Sequence, residues 1–381
     1  MRHDTERMRW ERFAPARVNL LGEHTDYTGG MVLPMAIPFL TQATIERIDG
    51  PDSHIYTELF DKEYVIAKEQ RPNPTGEWSD YPTGVFEEFR KLDIAVPPFA
   101  LRLRGDVPFG AGLSSSASVE VATCMALLAL TGSELSIKEI ALLCQRAENL
   151  FVKSPCGIMD QAVVTAARAG HALMLNTRDL TFDLVPMNRG EMAKVRVVVV
   201  NSEVKHSVAT GAYGDRRREA EAGQAAVVAK FGIRDLGEAT IYQVEQIAGE
   251  IDPVILKRIR HIVNENARVR EAADALEAGN VSRMGEIMLQ GHASMRDDYE
   301  ITCQEVDFLV DTAAQLPGCF GARMTGGGFG GCTVNLVVED RVASFSSELA
   351  ERYEREFGIR CAIYPCVAVD GAFELSLKEQ A

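Results

Sequence analysis

The chain has 381 residues, 46% of them apolar and 25% charged, a composition that excludes intrinsic disorder at a length suited to two domains. Lys and Arg number 40 against 55 Asp and Glu, a formal charge of −15. A protein that grips nucleic acid by neutralising phosphates should be basic, so that class is disfavoured. The most apolar stretches, 122–130 and 195–200, fall far short of the ~20 residues that span a membrane. The opening Met1-Arg-His-Asp-Thr-Glu-Arg is charged and has no secretory signal core, so a cytoplasmic location is expected. Eight cysteines show neither CxxC nor zinc-finger spacing, and the expectation is reduced, mostly buried thiols.

In chain order, the first hundred residues read as strand-rich: 43–48 alternates in part and 100–104 cleanly, with Pro and Gly between. Residues 116–131 and 137–152 read as helices, with apolar side chains returning every three or four positions. A strand-like run at 195–200 follows a Pro/Asn/Gly stretch near 186–190, a candidate boundary. From 215 to about 316 the pattern is helical, broken at Gly232, Pro253 and Gly279. Strands return around a glycine cluster at 326–331 and along 333–338. No repeat or low-complexity tract is present. Strands and helices mix without strict βαβ alternation, so the expected class is α+β.

Three glycine-bearing motifs carry the chemistry. In Ala16-Arg-Val-Asn-Leu-Leu-Gly-Glu-His-Thr-Asp-Tyr-Thr-Gly-Gly30, a strand delivers a turn bearing Glu23, His24 and Asp26. Carboxylates on such a turn suit a polyol, and equally a solvated surface loop. In Pro108-Phe-Gly-Ala-Gly-Leu-Ser-Ser-Ser-Ala-Ser118, glycines and serines precede an apolar helix. Backbone N–H groups, hydroxyls and the helix dipole then converge as a phosphate cradle. A serine-capped glycine turn would look similar. No Gly-Lys-[Ser/Thr] closes a Walker A loop, and protein-kinase signatures are absent. The third motif, Met324-Thr-Gly-Gly-Gly-Phe-Gly-Gly-Cys-Thr333, is either a tight hairpin or a backbone approaching the phosphates or the cradle.

In this order the motifs resemble those of the GHMP small-molecule kinases, and within them the galactokinase branch. Pro155-Cys-Gly-Ile-Met-Asp-Gln161, Asn201-Ser-Glu-Val-Lys-His206 through Tyr213 and Arg217, and Met295-Arg-Asp-Asp-Tyr299 extend the similarity over roughly residues 12–340. Departures are small: Ala16 where Gly is usual, Thr28 for Asn and Asn176 for Asp. The resemblance implies a two-domain GHMP fold with its active site in the interdomain cleft. The division expected is residues 1–188, joined by a returning C-terminal strand within 362–381, against 189–361.

It further implies transfer of the ATP γ-phosphoryl group to the anomeric hydroxyl of galactose. Asp160 would be the base and Arg17 its electrostatic partner. Glu23, His24, Asp26, Gly157 and Tyr213 would contact the sugar. Pro108, Gly110, Ala111, Gly112, Leu113, Ser114, Ser115, Ser116, Ala117 and Ser118 would hold the nucleotide, and Ser116 with Glu148 would hold Mg2+. Partners are then ATP and a galactose-like monosaccharide, with neither nucleic acid nor membrane, and a monomer is expected. Rival readings are a kinase for galacturonate, N-acetylgalactosamine or arabinose, and a non-catalytic sugar and ATP sensor. Taken alone, Asp160 also suits a helix N-cap, Arg17 a strand end, Glu148 a solvated helix face and Tyr213 a core position.

Overall fold

Strand β1 (Arg9–Asn19) starts with exposed residues and ends with six consecutive buried ones, so it carries Arg17 from the surface into the interior. This computed structural model describes residues 8–69, 71–108, 110–205 and 209–380. The charged opening, Phe109 and His206 lie outside them. The chain continues through β2 (Met31–Val32), β3 (Pro34–Arg47), β4 (Ser53–Thr57), β5 (Lys62–Ile66), α1 (Asp80–Lys91) and β6 (Phe99–Gly105). Five strands form a sheet in the order β1-β3-β6-β4-β5, in which only β4 and β6 run parallel. The sequence reading did not anticipate α1, whose first turns contain Pro82 and Gly84. A Cβ on Gly84 would stand 3.2 Å from that of Phe151, a tight contact that favours the weak helix former.

Helices α2 (Ser115–Thr131), α3 (Ile137–Arg146) and α4 (Met159–Ala166) complete this half. Ser136 and Glu139 form a reciprocal capping box at the start of α3. The helix expected to run to 152 instead widens into a π turn over Ala147–Val152, which carries Glu148. Strands β7 (His171–Asn176) and β8 (Phe182–Pro186) join β2 in a small sheet.

The second half begins with β9 (Val195–Lys205), followed by α5 (Ala209–Phe231), α6 (Ile241–Gln246), α7 (Pro253–Glu277), α8 (Val281–Ser294) and α9 (Gln304–Gln315). The expected breaks are real. Gly232 and Gly279 follow α5 and α7 with φ of 66° and 67°, and Pro253 opens α7 behind the Asp252 cap. Next come β10 (Cys319–Thr325), β11 (Gly330–Val338), α10 (Val342–Phe357), β12 (Ala362–Cys366) and α11 (Ala372–Gln380). The antiparallel sheet order is β10-β11-β9-β12. The expectation of a returning strand therefore needs correction. β12 pairs with β9 inside the second half, and it is the segment behind it that crosses back. Val369 N–H donates to Ala36 O, Gly371 N–H donates to Ala167 O, and Arg168 pairs with Glu374.

One apolar core lies between α2, α3, α4 and the first sheet. Another is shared by both halves, joining Val18 and Met35 to Val197, Val199, Met284 and Ile287. All eight cysteines are free and five are buried. Among the described residues, no helix is long and apolar enough to cross a membrane.

A buried ion network ties the two halves together behind the turn at 22–31. Arg323 of β10, fully buried, contacts Glu23 and lies 2.8 Å from Glu265 of α7. Glu265 also receives Arg268 at 2.6 Å and the Gly22 N–H at 2.9 Å. Burial alone would raise the Glu265 carboxyl, but Arg323 and Arg268 hold it well below the usual range. Glu23 is pushed up to about 7 by burial, which outweighs Arg323 and is reinforced by Glu265. Removing Glu265 takes away the carboxylate of Arg268 and one of the two held by Arg323. E265A should therefore cost about 3–5 kcal/mol in equilibrium denaturant unfolding, and a loss below about 1 kcal/mol would contradict this role.

Candidate active site

Arg17 reaches Asp160, near the start of α4, through two parallel hydrogen bonds of 2.7 Å, Nε to Oδ1 and Nη2 to Oδ2. Its remaining branch, Nη1, donates to the Gly112 carbonyl at 2.7 Å, and Ser114 Oγ donates to Asp160 Oδ2. One guanidinium thus joins β1, the glycine-serine loop and α4 in a charge-assisted fork. Arg17 is only 5% exposed. The solvated strand-end reading of Arg17 is thereby excluded.

The loop has some of the backbone features that a phosphate cradle requires. Gly110 and Gly112 have φ of 71° and 77°, and space beside Gly112 is open. Ser114 precedes α2 with φ of 61°, a left-handed conformation that costs on the order of 1 kcal/mol for a residue with a Cβ. Ser115 and Ser116 are half-exposed at the helix N-terminus, whereas Ala111, Leu113 and Ala117 bury their side chains and can offer only backbone. Ser118 departs from the expectation. Its hydroxyl donates to Ala14 O at 2.8 Å and lies 2.7 Å from Thr41 Oγ1, so it ties α2 to the first sheet from inside the core.

The third motif lies against the cradle. Cys332 Sγ is 3.0 Å from Ala111 O, and a Cβ on Gly326 would sit 3.4 Å from Gly112 O. Four of its glycines have positive φ, which permits this approach. Thr325 fixes the end of β1 by accepting from Asn19 N–H at 3.0 Å and donating to Asn19 O at 2.9 Å.

Beside Asp160 lies Asp26, whose Oδ2 accepts from Met159 N–H at 3.4 Å. Burial and the Asp160 charge push the Asp26 carboxyl up to about 6. Gly157 is required here because a Cβ would collide with Asp26. The His24 and Tyr213 rings pack tilted, with centroids 5.0 Å apart, and Tyr299 lies 4.8 Å from the same imidazole. His24 Nδ1 is 2.7 Å from Tyr27 Oη, and Nε2 is 3.3 Å from Gly327 O. That carbonyl can only accept, so Nε2 carries the proton and the Tyr27 hydroxyl donates to Nδ1. Arg217 lies over the Tyr27 ring at 5.2 Å. Glu23 stands apart, 2% exposed and held by Arg323, with its Oε1 lacking a partner.

Glu148 is buried, not on a solvated face. Burial and the charge of Asp160 push it up to about 7, against a hydrogen bond from Ser116. Two groups without an assigned role in the sequence reading accompany it. Gln161 Nε2 lies 2.7 Å from Glu148 Oε2 and 3.2 Å from Glu120 Oε2. Glu120 was legible as the one carboxylate inside the apolar run 119–130. Gln161 carried no comparable signal beyond its place next to Asp160. Among the described residues, no group of three or more His, Cys, Asp or Glu is placed to hold a metal by itself.

The glycine-serine cradle, the arginine-carboxylate pair and the third glycine motif, converging between two α+β halves, define a small-molecule kinase of the GHMP type. Residues 80–168 match the GHMP kinases N terminal domain and 272–355 the GHMP kinases C terminal. Residues 6–47 match the galactokinase galactose-binding signature. The chain is 39% identical to a galactokinase of Halalkalibacterium halodurans over 95% of its own length and 92% of the relative's. It is 41% identical to one of Roseiflexus sp., over 94% and 91%. The crystal structure of Lactococcus lactis galactokinase complexed with galactose superposes with a TM-score of 0.92 at 31% identity, covering 97% and 95%. The mevalonate kinase of Methanococcus jannaschii shares the fold, at a TM-score of 0.68 and 19% identity over 96% and 100%. The chain belongs to the galactokinase family and is an ATP-dependent sugar kinase.

Burial lowers His24 from 6.5 to about 4. The unfolded chain takes up a proton here below about pH 6.5 and the folded chain only near 4. This residue therefore withdraws stability as pH falls across that window. In long-range 1H–15N spectra His24 should remain the neutral Nε2–H tautomer from pH 8 to about 5, and a midpoint above 6 would contradict the burial argument.

Proposed function

We propose that the chain phosphorylates the anomeric C1 hydroxyl of galactose with ATP, giving galactose 1-phosphate and ADP. The observation that carries this reading is the fork between Arg17 and Asp160 beside the cradle, with both distances at 2.7 Å. Phosphoryl transfer needs alignment and charge neutralisation more than covalent help. Asp160 accepts the C1 hydroxyl proton. Arg17 holds that carboxylate in place, and its cation offsets negative charge building on the transferred group. The N–H groups of the 110–116 loop and the N-terminus of α2 receive the phosphates.

His24, Tyr213 and Asp26 form the sugar wall. Neutral His24 and the tyrosines packed against it offer an aromatic face, and Asp26 an acceptor for sugar hydroxyls. Glu23 Oε1 is unpartnered but buried apart from that wall, so Glu23 supports the turn from behind. A carboxylate on the sugar would meet Asp26 and Asp160 in a desolvated setting, which disfavours galacturonate.

Glu148 and Ser116 are the residues that would hold Mg2+. They supply hard oxygen donors, and burial plus the neighbouring Asp160 charge raise Glu148, the environment in which a cation is welcome. Few protein ligands are needed, because phosphates and waters complete the shell of this ion. When bound, the ion would neutralise phosphate charge.

D160A should lower kcat by at least about 1000-fold, and calorimetry should still find ATP and galactose bound, though more weakly because Arg17 and Ser114 lose their shared acceptor. Steady-state ADP release from the unaltered chain should favour galactose over galacturonate, N-acetylgalactosamine and arabinose. Near-normal turnover by D160A would remove the base, and a markedly better rival sugar would replace galactose.

A further inference from the structure

Glu120 of the apolar helix α2 and Gln161 of α4 are buried completely, beside the turn that carries Glu148. A core position of this kind is normally filled by apolar side chains, because a carboxylate and an amide there forfeit their hydration. The cost is only partly met. Glu120 Oε1 and Gln161 Oε1 both lack a hydrogen-bond partner. A buried polar group left unsatisfied calls for a reason besides folding.

The geometry supplies one. The Gln161 amide nitrogen reaches Glu148 Oε2 at 2.7 Å and Glu120 Oε2 at 3.2 Å, so it bridges the two carboxylates. Cys156 Sγ, at 3.6 Å, points to the same Oε2. Both donors thus engage one oxygen of Glu148 and neither engages Oε1. A carboxylate held by one oxygen presents the other in a fixed direction, as ligands backed by an outer hydrogen bond do.

We propose that Gln161 is a positioning residue for the divalent cation, its amide orienting the Glu148 carboxylate while Glu120 fixes the amide from behind. The inference rests on the reading of Glu148 and Ser116 as the cation ligands. It adds two residues that act through Glu148 and touch neither nucleotide nor sugar.

The test is Mn2+ binding followed by electron paramagnetic resonance, with a non-hydrolysable ATP analogue present and no turnover. Q161M keeps the side-chain length and removes the donor. It should weaken Mn2+ about 10-fold or more. In turnover, the Mg2+ concentration for half-maximal rate should rise similarly, with the galactose KM within about twofold and much of kcat recovered at saturating Mg2+. A role confined to folding would lower thermal stability without moving the metal dependence. Should Q161M fail to fold, E120M removes the support instead and should weaken Mn2+ at least threefold. E148Q separates the two layers. If it leaves Mn2+ affinity unchanged, the cation-site reading itself falls. If E148Q weakens Mn2+ and folded Q161M, or E120M in its place, does not, the positioning role alone is overturned.

Discussion

The fork between Arg17 and Asp160 is the contact on which the arrangement depends, because it closes a triangle among segments 95 and 143 residues apart. β1 must bury its C-terminal half to bring the guanidinium inside, and the cradle must turn its Gly112 carbonyl toward it. α4 must begin where its first turn meets both. The pair also relieves part of an electrostatic problem, for Asp160 and to a small extent for Asp26. Asp26, Glu120, Glu148 and Asp160 crowd one region, and the first three are all pushed upward. Arg17 is the fixed cation bonded directly into that group, and a metal-bound nucleotide would add the rest.

The turn bearing His24 and Asp26 is held from the opposite side. Glu265, Asn266 and His261, all on α7, reach the backbone of residues 22–31, with Asn266 Oδ1 accepting from Met31 N–H at 2.8 Å. This turn is therefore clamped between β1, which it follows, and a helix more than two hundred residues away. On the proposed function, an acidic chain, at −15 overall, must still receive a polyphosphate. The favourable field is local, made by one arginine, a helix N-terminus and glycine-exposed N–H groups inside an acidic shell.

Much of this was legible because the chemistry is local in sequence. The glycines of 110–112 and 326–331 mark backbone that must bend or approach closely, and Gly232, Pro253 and Gly279 mark helix ends for the same steric reasons. The glycine run gave two openings for the third motif, and both apply: it turns the chain between paired β10 and β11, and it packs against the 110–112 loop. What was not legible depends on partners distant in the chain. Nothing in 362–366 says that β9 is its neighbour, nothing in the Ser118 context says its hydroxyl turns to Ala14, and the burial of Glu148 needs Glu120 and Gln161 in place. Helix α1 was hidden because Pro82 and Gly84 in its first turns lower helix propensity, and Phe151 packs tightly where a side chain at 84 would begin.

The central claim is that Arg17 and Asp160 act as one unit. A double-mutant cycle on kcat/KM for galactose, with R17M, D160N and the double variant, tests it directly. Each single change should cost about as much as the two together, because either one dissolves the fork and disables the base. Losses that multiply would mean that the two residues act independently, and would contradict the account.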